Sequence, residues 1–198
     1  MQAEAFAIPG PLLLTPRLFG DDRGFFFESW NAQVFATLLA ETGAEAPQPA
    51  PDFVQDNHSR SALGVLRGLH YQLAPHAQGK LVRCVAGEIF DVAVDLRRSS
   101  PHFGRWIGAH LSAGNHRQMW VPVGFAHGFL SLCDGSEVLY KTTDVWHRES
   151  ERAIRWDDPQ IGIDWPLASL AGLTPQLSGK DGEAPTLAEQ LAAGEVFA

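Results

Sequence analysis

Residues 87–96 read GEIFDVAVDL, and their pattern is the clearest indication of the fold class. Its side chains alternate without exception from residue 89 to residue 96, which is the period of a β-strand. One face carries Phe90, Val92, Val94 and Leu96, and the other carries Ile89, Asp91, Ala93 and Asp95. We therefore predict a strand over residues 88–96.

Short apolar runs surround this strand on both sides. Among the 198 residues, 19 Gly and 13 Pro are scattered between the runs, as is typical of an all-β domain. Further strands are predicted at 53–57, 65–72, 81–86, 105–111, 118–121, 129–133 and 137–142. Eight short strands at this spacing indicate a β-sandwich or a barrel.

Helices are predicted only near the two ends of the chain. Asn31 is a suitable N-cap for a helix over 32–41, and Pro47, Pro49 and Pro51 predict an extended linker after it. A second helix is predicted to begin near Pro185, with Leu187 and Leu191 on one side.

The composition indicates a single domain over residues 1–198, without internal repeats. We expect strands and a helix in 1–50, the β core in 53–165, and a loop and helix in 166–198. No run approaches the roughly 18 apolar residues of a membrane span, and the N-terminus lacks the order of a secretory signal. A soluble, cytoplasmic protein that does not contact a membrane is therefore expected.

The charge is uneven along the chain. The 15 Lys and Arg against 23 Asp and Glu give a formal net charge of −8, which argues against nucleic acid as a partner. Residues 51–120 nevertheless hold 8 basic and 5 acidic side chains. Either basic strands pair with acidic ones, or this third forms a pocket for a small anion. Cys84 and Cys133 lack CxxC spacing, so neither a disulfide framework nor a zinc site is indicated.

Two of the eight histidines lie in apolar segments that could form a site. His70 belongs to GVLRGLHYQ (64–72), and His127 belongs to VPVGFAHGFL (121–130). Histidine is the side chain most easily tuned to act as a base near neutral pH. The other six lie in polar or loop contexts and are predicted to be superficial or structural.

These two segments resemble the paired motifs of the cupin superfamily, whose members are small jelly rolls. The second motif is intact as Pro122, Gly124 and His127. In the first motif, the position two residues after His70 is Gln72 instead of His, so one metal ligand of the superfamily is missing. The remaining donors suit zinc or iron poorly. We therefore expect a metal-free cupin jelly roll with a few short peripheral helices and no cofactor.

A more specific resemblance covers residues 3–191. Its motifs occur in order as FGDDRGFFFESWN (19–31), FVQDNHSRS (53–61), GVLRGLHYQ (64–72), QGKLVRCVAGEIFDVAVDLRRSSPHFG (78–104), WVPVGFAHGFL (120–130), YKTTD (140–144) and LSGKD (177–181). This set is similar to the dTDP-4-dehydrorhamnose 3,5-epimerase family. The resemblance implies an isomerase that inverts carbons 3 and 5 of dTDP-4-dehydro-6-deoxy-D-glucose, in the biosynthesis of dTDP-L-rhamnose.

The resemblance also implies catalytic roles that agree with the chemistry. Carbons 3 and 5 flank a ketone, so a base can remove their protons and leave an enolate. His70 matches the base, and Asp181 matches the carboxylate that orients it. Tyr140 matches the acid, Lys80 matches the cation near the enolate oxygen, and His127 would support the same oxygen or the sugar hydroxyls.

Further positions match nucleotide-binding residues of the family. Arginines suit phosphates, and an aromatic ring suits stacking on thymine. The matched positions are Arg23 and Arg67 for phosphate, Glu28, Gln55, Asp56 and Asn57 for thymine and ribose, Trp146 for stacking, and Phe26, Glu151 and Lys180 as further substrate contacts. Strict alternation would place Arg67 and His70 on opposite faces. Either Gly68 carries a β-bulge, or Arg67 reaches the barrel rim or a site formed with another subunit.

The family resemblance implies a homodimer, in which residues 3–30 could be exchanged between subunits. Alternatives to the leading interpretation remain at this point. A related 3-epimerase or a ketoisomerase would use the same base on the same substrate class. A metal-dependent cupin oxygenase would need His70, His127 and another donor such as Glu88, and a noncatalytic sugar-nucleotide binder would not need the catalytic set.

Overall fold

The computed structural model describes residues 1–42 and 50–198, and antiparallel strands dominate it. The first sheet contains, in spatial order, β1 (Gln2–Ala5), β2 (Leu12–Thr15), β10 (Gln118–Val121), β7 (Lys80–Ala86), β12 (Ser136–Thr142) and β5 (Gln55–Ser61). The second contains β13 (Glu151–Ala153), β6 (Leu66–Gln72), β11 (Phe125–Ser131), β8 (Glu88–Asp95) and β9 (Trp106–Ser112). A separate hairpin pairs β3 (Phe19–Asp21) with β4 (Gly24–Phe26).

The main core lies between the two sheets. Ile89 and Ala93 on β8 belong to one buried cluster with Val82 and Met119 of the opposite sheet. Full burial of an isoleucine, valine or methionine side chain stabilises the fold by roughly 1.5–3 kcal/mol. The predicted sandwich architecture is therefore confirmed.

The outer face of β8 is buried as well. Val92 and Val94 pack in a second cluster with Ile154 and Trp165, which follow the last strand in sequence. The predicted alternation is thus confirmed, and its two faces belong to two different clusters. Both faces are buried because the C-terminal segment covers the outside of the second sheet.

The N-terminal helix agrees with its prediction. Helix α1 (Ala32–Thr42) follows Asn31, whose Oδ1 accepts hydrogen bonds from the N–H groups of Gln33 (3.0 Å) and Val34 (3.2 Å). Its buried side chains pack on the outside of the first sheet, in a cluster with Trp120. Of the prolines predicted to follow it, Pro47 and Pro49 lie outside the described residues.

The C-terminal segment contains a 3₁₀ turn (Leu167–Leu170) and two short helices, α2 (Gly179–Gly182) and α3 (Leu187–Ala192). Helix α3 begins close to Pro185, as predicted, and it carries Leu187 and Leu191 four residues apart on one side. Leu187 is buried, whereas Leu191 is 37% exposed. Gln190 turns inward in its place, because its amide donates to the carbonyl of Ala153 at 2.8 Å.

Two strand boundaries differ from the predictions in a way that concerns the site. Strand β11 begins at Phe125, four residues before the predicted start, so His127 lies inside a strand. Strand β5 extends over 55–61 instead of 53–57. The first half of β11 lacks a clear alternation in its sequence, but a seven-pair ladder to β8 holds the whole strand. Every helix among the described residues is too short or too polar to span a bilayer.

The pairing of β6 with β11 contains the bulge proposed for Arg67. His70 lies opposite His127, and Arg67 lies opposite Phe129, so two residues of β6 face a single residue of β11. The extra residue reverses the alternation between the two positions. Arg67 and His70 consequently line the same cavity.

Gly68 allows this bulge for two reasons. Its φ of +125° is a conformation that side chains disfavour. A Cβ atom at this position would lie 2.5 Å from the Cα of Gly128 on the adjacent strand. The bulge therefore depends on the absence of a side chain at residue 68.

Candidate active site

Two adjoining cavities open between the sheets, and three polar side chains line both of them. His70 comes from β6 of the second sheet, whereas Lys80 and Tyr140 come from the neighbouring strands β7 and β12 of the first. The cavity that His127 and Asp181 also line, here called the inner cavity, has a volume of about 260 Å³. The cavity that Gln55 and Trp146 also line, here called the outer cavity, has a volume of about 130 Å³. Inward positions of facing strands thus bring together groups that are far apart in sequence.

His70 forms a dyad with a carboxylate from the C-terminal segment. Its Nε2 lies 2.5 Å from Oδ1 of Asp181, which is buried beside it on α2. Burial opposes ionisation of Asp181, but hydrogen bonds from His70 and Ser178 outweigh it and lower the pKa of the carboxyl. An ionised carboxylate at Nε2 places the ring proton there and leaves the Nδ1 lone pair available as a base.

Lys80 lies next to the backbone of His70. Its Nζ donates a hydrogen bond to the carbonyl of His70 at 3.2 Å, and its side chain is buried. Burial lowers the pKa of Lys80 to about 8, although the negative charges of Asp91 and Glu151 oppose this shift. A lysine with a pKa near neutrality is suited to stabilise a transient negative charge.

A second histidine and carboxylate pair lies beside the first. Nε2 of His127 is 2.8 Å from Oδ1 of Asp91, and both residues are buried. Burial raises the pKa of Asp91 and lowers that of His127, against the attraction between them. The other carboxylate oxygen of Asp91 finds no hydrogen-bond donor among the residues that the structure describes. The charge of Asp91 therefore acts on His127 and on Lys80.

Tyr140 faces the cavity from β12, and its ring packs at the edge of the main core. Burial raises the pKa of its hydroxyl, although the positive charge of Arg67 opposes the shift. The phenol therefore retains its proton at neutral pH and can donate it. Arg67 lines the same cavity, and its Nε donates to the Ser61 hydroxyl at 3.1 Å.

The outer cavity is polar, with an aromatic ring at its edge. The Gln55 amide donates to Asn57 Oδ1 at 2.8 Å, and its Oε1 accepts from the backbone N–H of Trp146 at 3.1 Å. The Trp146 ring lines the cavity but is 55% exposed, which leaves a face free for stacking. Glu151 lines the same cavity and forms an ion pair with Lys180 at 2.6 Å.

Comparison with known proteins establishes the family. The model of the dTDP-4-dehydrorhamnose 3,5-epimerase family matches residues 5–189. The chain belongs to this family. Its membership makes the protein an isomerase of dTDP-L-rhamnose biosynthesis and confirms the predictions of family, enzyme class and cupin fold.

Individual relatives are similar over nearly their whole length. The dTDP-4-dehydrorhamnose 3,5-epimerase of Pseudomonas aeruginosa is 57% identical over 189 residues, covering 96% of this chain and 97% of the relative. That of Salmonella typhimurium is 53% identical over 93% of this chain and 94% of the relative. The crystal structure of dTDP-6-deoxy-D-glucose-3,5-epimerase from Legionella pneumophila, in complex with dTDP-4-keto-L-rhamnose, has a TM-score of 0.88 and 47% identity, covering 99% of this chain and 97% of that one.

Gln72 of the epimerase occupies the place of the missing cupin histidine, and its amide is committed to the backbone. It donates to the carbonyls of His76 (2.6 Å) and Val145 (3.2 Å) and accepts from the N–H of His147 (2.7 Å). Glu88, the extra ligand of the oxygenase alternative, instead pairs with a surface histidine. No group of three or more His, Cys, Asp or Glu in residues 1–42 and 50–198 is arranged to hold a metal ion.

Four predicted substrate contacts of the epimerase lie apart from the two cavities. Arg23, Phe26 and Glu28 lie on or just after the exposed β3–β4 hairpin, where Arg23 pairs with Asp21. The Asp56 side chain lies on the outer face of β5, because alternation directs Gln55 and Asn57 inward. It pairs there with Lys141, a partly buried lysine of β12.

Several residues that contribute to the epimerase site were not predicted from the sequence, among them Asp91, Phe129 and Ser178. Asp91 was recognisable as the one acid at the centre of a strictly alternating apolar strand. Phe129 lines the inner cavity two residues after His127, where alternation could have placed it. Ser178 had no comparable signal, since its role depends on the contact between α2 and His70.

Proposed function

We propose that the two cavities hold a dTDP-4-keto-6-deoxy sugar and that His70 and Tyr140 invert its carbons 3 and 5. The observation that carries this proposal is the convergence of the His70–Asp181 dyad, Lys80 and Tyr140 on one cavity. An α-proton transfer needs these three functions, a base, a cation at the enolate oxygen and an acid. The ligand named for the Legionella structure, dTDP-4-keto-L-rhamnose, is of this class.

Each inversion is a balanced pair of proton transfers. Nδ1 of His70 takes the proton from carbon 3 or 5, the electron pair moves to the ketone oxygen, and Asp181 stabilises the imidazolium. Lys80 lies near the developing oxyanion. Tyr140 then gives its proton to the same carbon from the other face. Before the second inversion, the imidazolium releases its proton and the phenolate regains one from solvent.

The outer cavity is assigned to the nucleotide. The free face of Trp146 would stack on thymine, and the amides of Gln55 and Asn57 would meet its polar edge or the ribose. Arg67 lies on the inner cavity, where a guanidinium suits a phosphate oxygen. The basic middle third of the sequence thus supplies Lys80 and Arg67 to a pocket for an anion.

Heavy water distinguishes the proposed reaction from its alternatives. The wild-type protein, incubated in D₂O with the dTDP-4-keto-6-deoxy sugar, is expected to introduce deuterium at carbons 3 and 5, as followed by NMR. Exchange at carbon 3 alone would indicate a 3-epimerase, and a displaced carbonyl would indicate a ketoisomerase. Activity that is lost on chelation and regained with iron(II) would favour the metal-dependent alternative.

We further propose that the epimerase acts as a homodimer, in which the hairpin of one subunit completes the cavity of the other. Phe25 and Phe26 on the hairpin are 61% and 69% exposed. Exposed aromatic side chains of this size usually mark an interaction surface. Arg23 and Glu28 accompany them, although they lie away from the His70 cavity of their own chain.

A mixed dimer tests this arrangement. His70→Ala and Arg23→Ala are expected each to impair every site of their own homodimers. In a heterodimer of the two variants, one site receives both defects and the other receives neither. The purified heterodimer is therefore expected to show about half the wild-type turnover, whereas a site built from one chain would give only the mean of the parents. A monomer on gel filtration would also refute the proposal.

A further inference from the structure

Two short helices of the C-terminal segment begin with the same side-chain arrangement. The Thr186 hydroxyl accepts from the N–H of Glu189 at 3.2 Å and donates to its carboxylate at 2.7 Å. The Ser178 hydroxyl accepts from the N–H of Asp181 at 3.1 Å and donates to its Oδ2 at 2.8 Å. Each hydroxyl caps a helix and also holds the acid three residues later.

The two caps differ in what the acid does next. Glu189 is exposed, whereas Asp181 is buried and its second oxygen, Oδ1, lies 2.5 Å from Nε2 of His70. The carboxylate of Asp181 therefore divides its two oxygens between His70 and Ser178. The hydrogen bond from Ser178 fixes the rotation of the carboxylate, and this rotation sets the direction of Oδ1 towards the imidazole.

We propose that Ser178 is a positioning residue for the epimerisation, which holds Asp181 in the orientation that keeps His70 ready as a base. The inference rests on the role proposed above for His70. Ser178 lines the inner cavity and is itself exposed. Its side chain therefore acts through its hydrogen bond to Asp181 and not through packing in the core. Thr186 is a matched control, because it makes the same two hydrogen bonds on a helix that does not line the cavity.

Three variants distinguish a role of Ser178 in positioning Asp181 from a role as a helix cap alone. Ser178→Ala is expected to lower kcat about tenfold with KM changed less than twofold, which is the order expected for the loss of one hydrogen bond to a charged group. Thr186→Ala is expected to leave kcat within about twofold, because its acid is not part of the site. Ser178→Thr is expected to recover most of the activity, since it keeps the hydroxyl and its methyl group can project into solvent.

The pH profile of kcat gives a readout that simple loss of a helix cap would not move. Ser178 helps to lower the pKa of Asp181, so the acidic limb is expected at higher pH in Ser178→Ala and unchanged in Thr186→Ala. His70 and Lys180 are the titratable groups that act on Asp181, and both variants retain them. In an Asp181→Ala background, the Ser178 substitution is expected to cause no further loss of kcat.

Equal kcat values for Ser178→Ala and Thr186→Ala would overturn the inference, as would an undiminished effect of Ser178→Ala in the Asp181→Ala background. Failure of Ser178→Thr to recover activity would also count against it. Turnover by the wild-type protein in the same assay tests the proposed function separately. The failure of one proposal is therefore distinguishable from the failure of the other.

Discussion

Replacing His70 with alanine is expected to lower kcat by about 10²–10⁴-fold, the range that general base catalysis typically contributes. The same variant is expected to introduce no deuterium at carbon 3 or at carbon 5 in D₂O, because both inversions begin with proton removal by the same Nδ1. The measurement is exchange followed by NMR, combined with turnover of the keto sugar. Binding of dTDP is expected to persist, because the nucleotide is assigned to Trp146, Gln55 and Asn57 of the outer cavity, and the variant retains all three.

His58 offers a matched control for this variant. It also pairs with a carboxylate, Glu137, at 2.9 Å, but on the exposed outer side of the first sheet. His58→Ala is expected to keep kcat within about twofold, since an exposed pair contributes little to stability and nothing to the cavity. Residual exchange at one carbon in His70→Ala would show that a second base serves that carbon.

Replacing Lys80 with methionine is expected to lower kcat by about 10²–10³-fold, the loss typical of one oxyanion-stabilising group. Methionine preserves much of the buried volume, so the fold is expected to remain intact. Lys141→Met is the matched control, because Lys141 lies on the same sheet but forms an exposed ion pair with Asp56. Steady-state kinetics on the keto sugar, with circular dichroism as a check of folding, decide the outcome. A Lys80→Met variant with normal kcat would exclude a role for this cation at the enolate oxygen.

The protonation state of Lys80 also predicts how kcat depends on pH. Its pKa of about 8 means that kcat is expected to fall as pH rises through that value, because the neutral amine no longer stabilises the enolate. The negative charge of Asp91 raises the pKa of Lys80. Asp91→Asn is therefore expected to lower that pKa further and to move the alkaline limb of kcat to lower pH. An alkaline limb unchanged by this substitution would assign it to another group.

Much of the fold follows from local patterns. The alternation around Val92 predicted strand β8, and the side chain of Asn31 predicted where the first helix begins. These predictions succeeded because strand alternation and helix capping depend on residues that are close in sequence. The start of β11 was predicted less well, since it depends on pairing with a distant part of the chain.

The all-β class, the family and the candidate base His70 follow from the sequence alone. The family resemblance also paired Asp181 with His70, and the structure places the two side chains 2.5 Å apart across 111 positions of sequence. For Arg67 the sequence left alternatives open, and the structure shows that a bulge at Gly68 turns it into the cavity of His70. Local periodicity cannot encode such contacts, because strand pairing and the packing of the C-terminal segment bring together residues whose separation in sequence carries no signal.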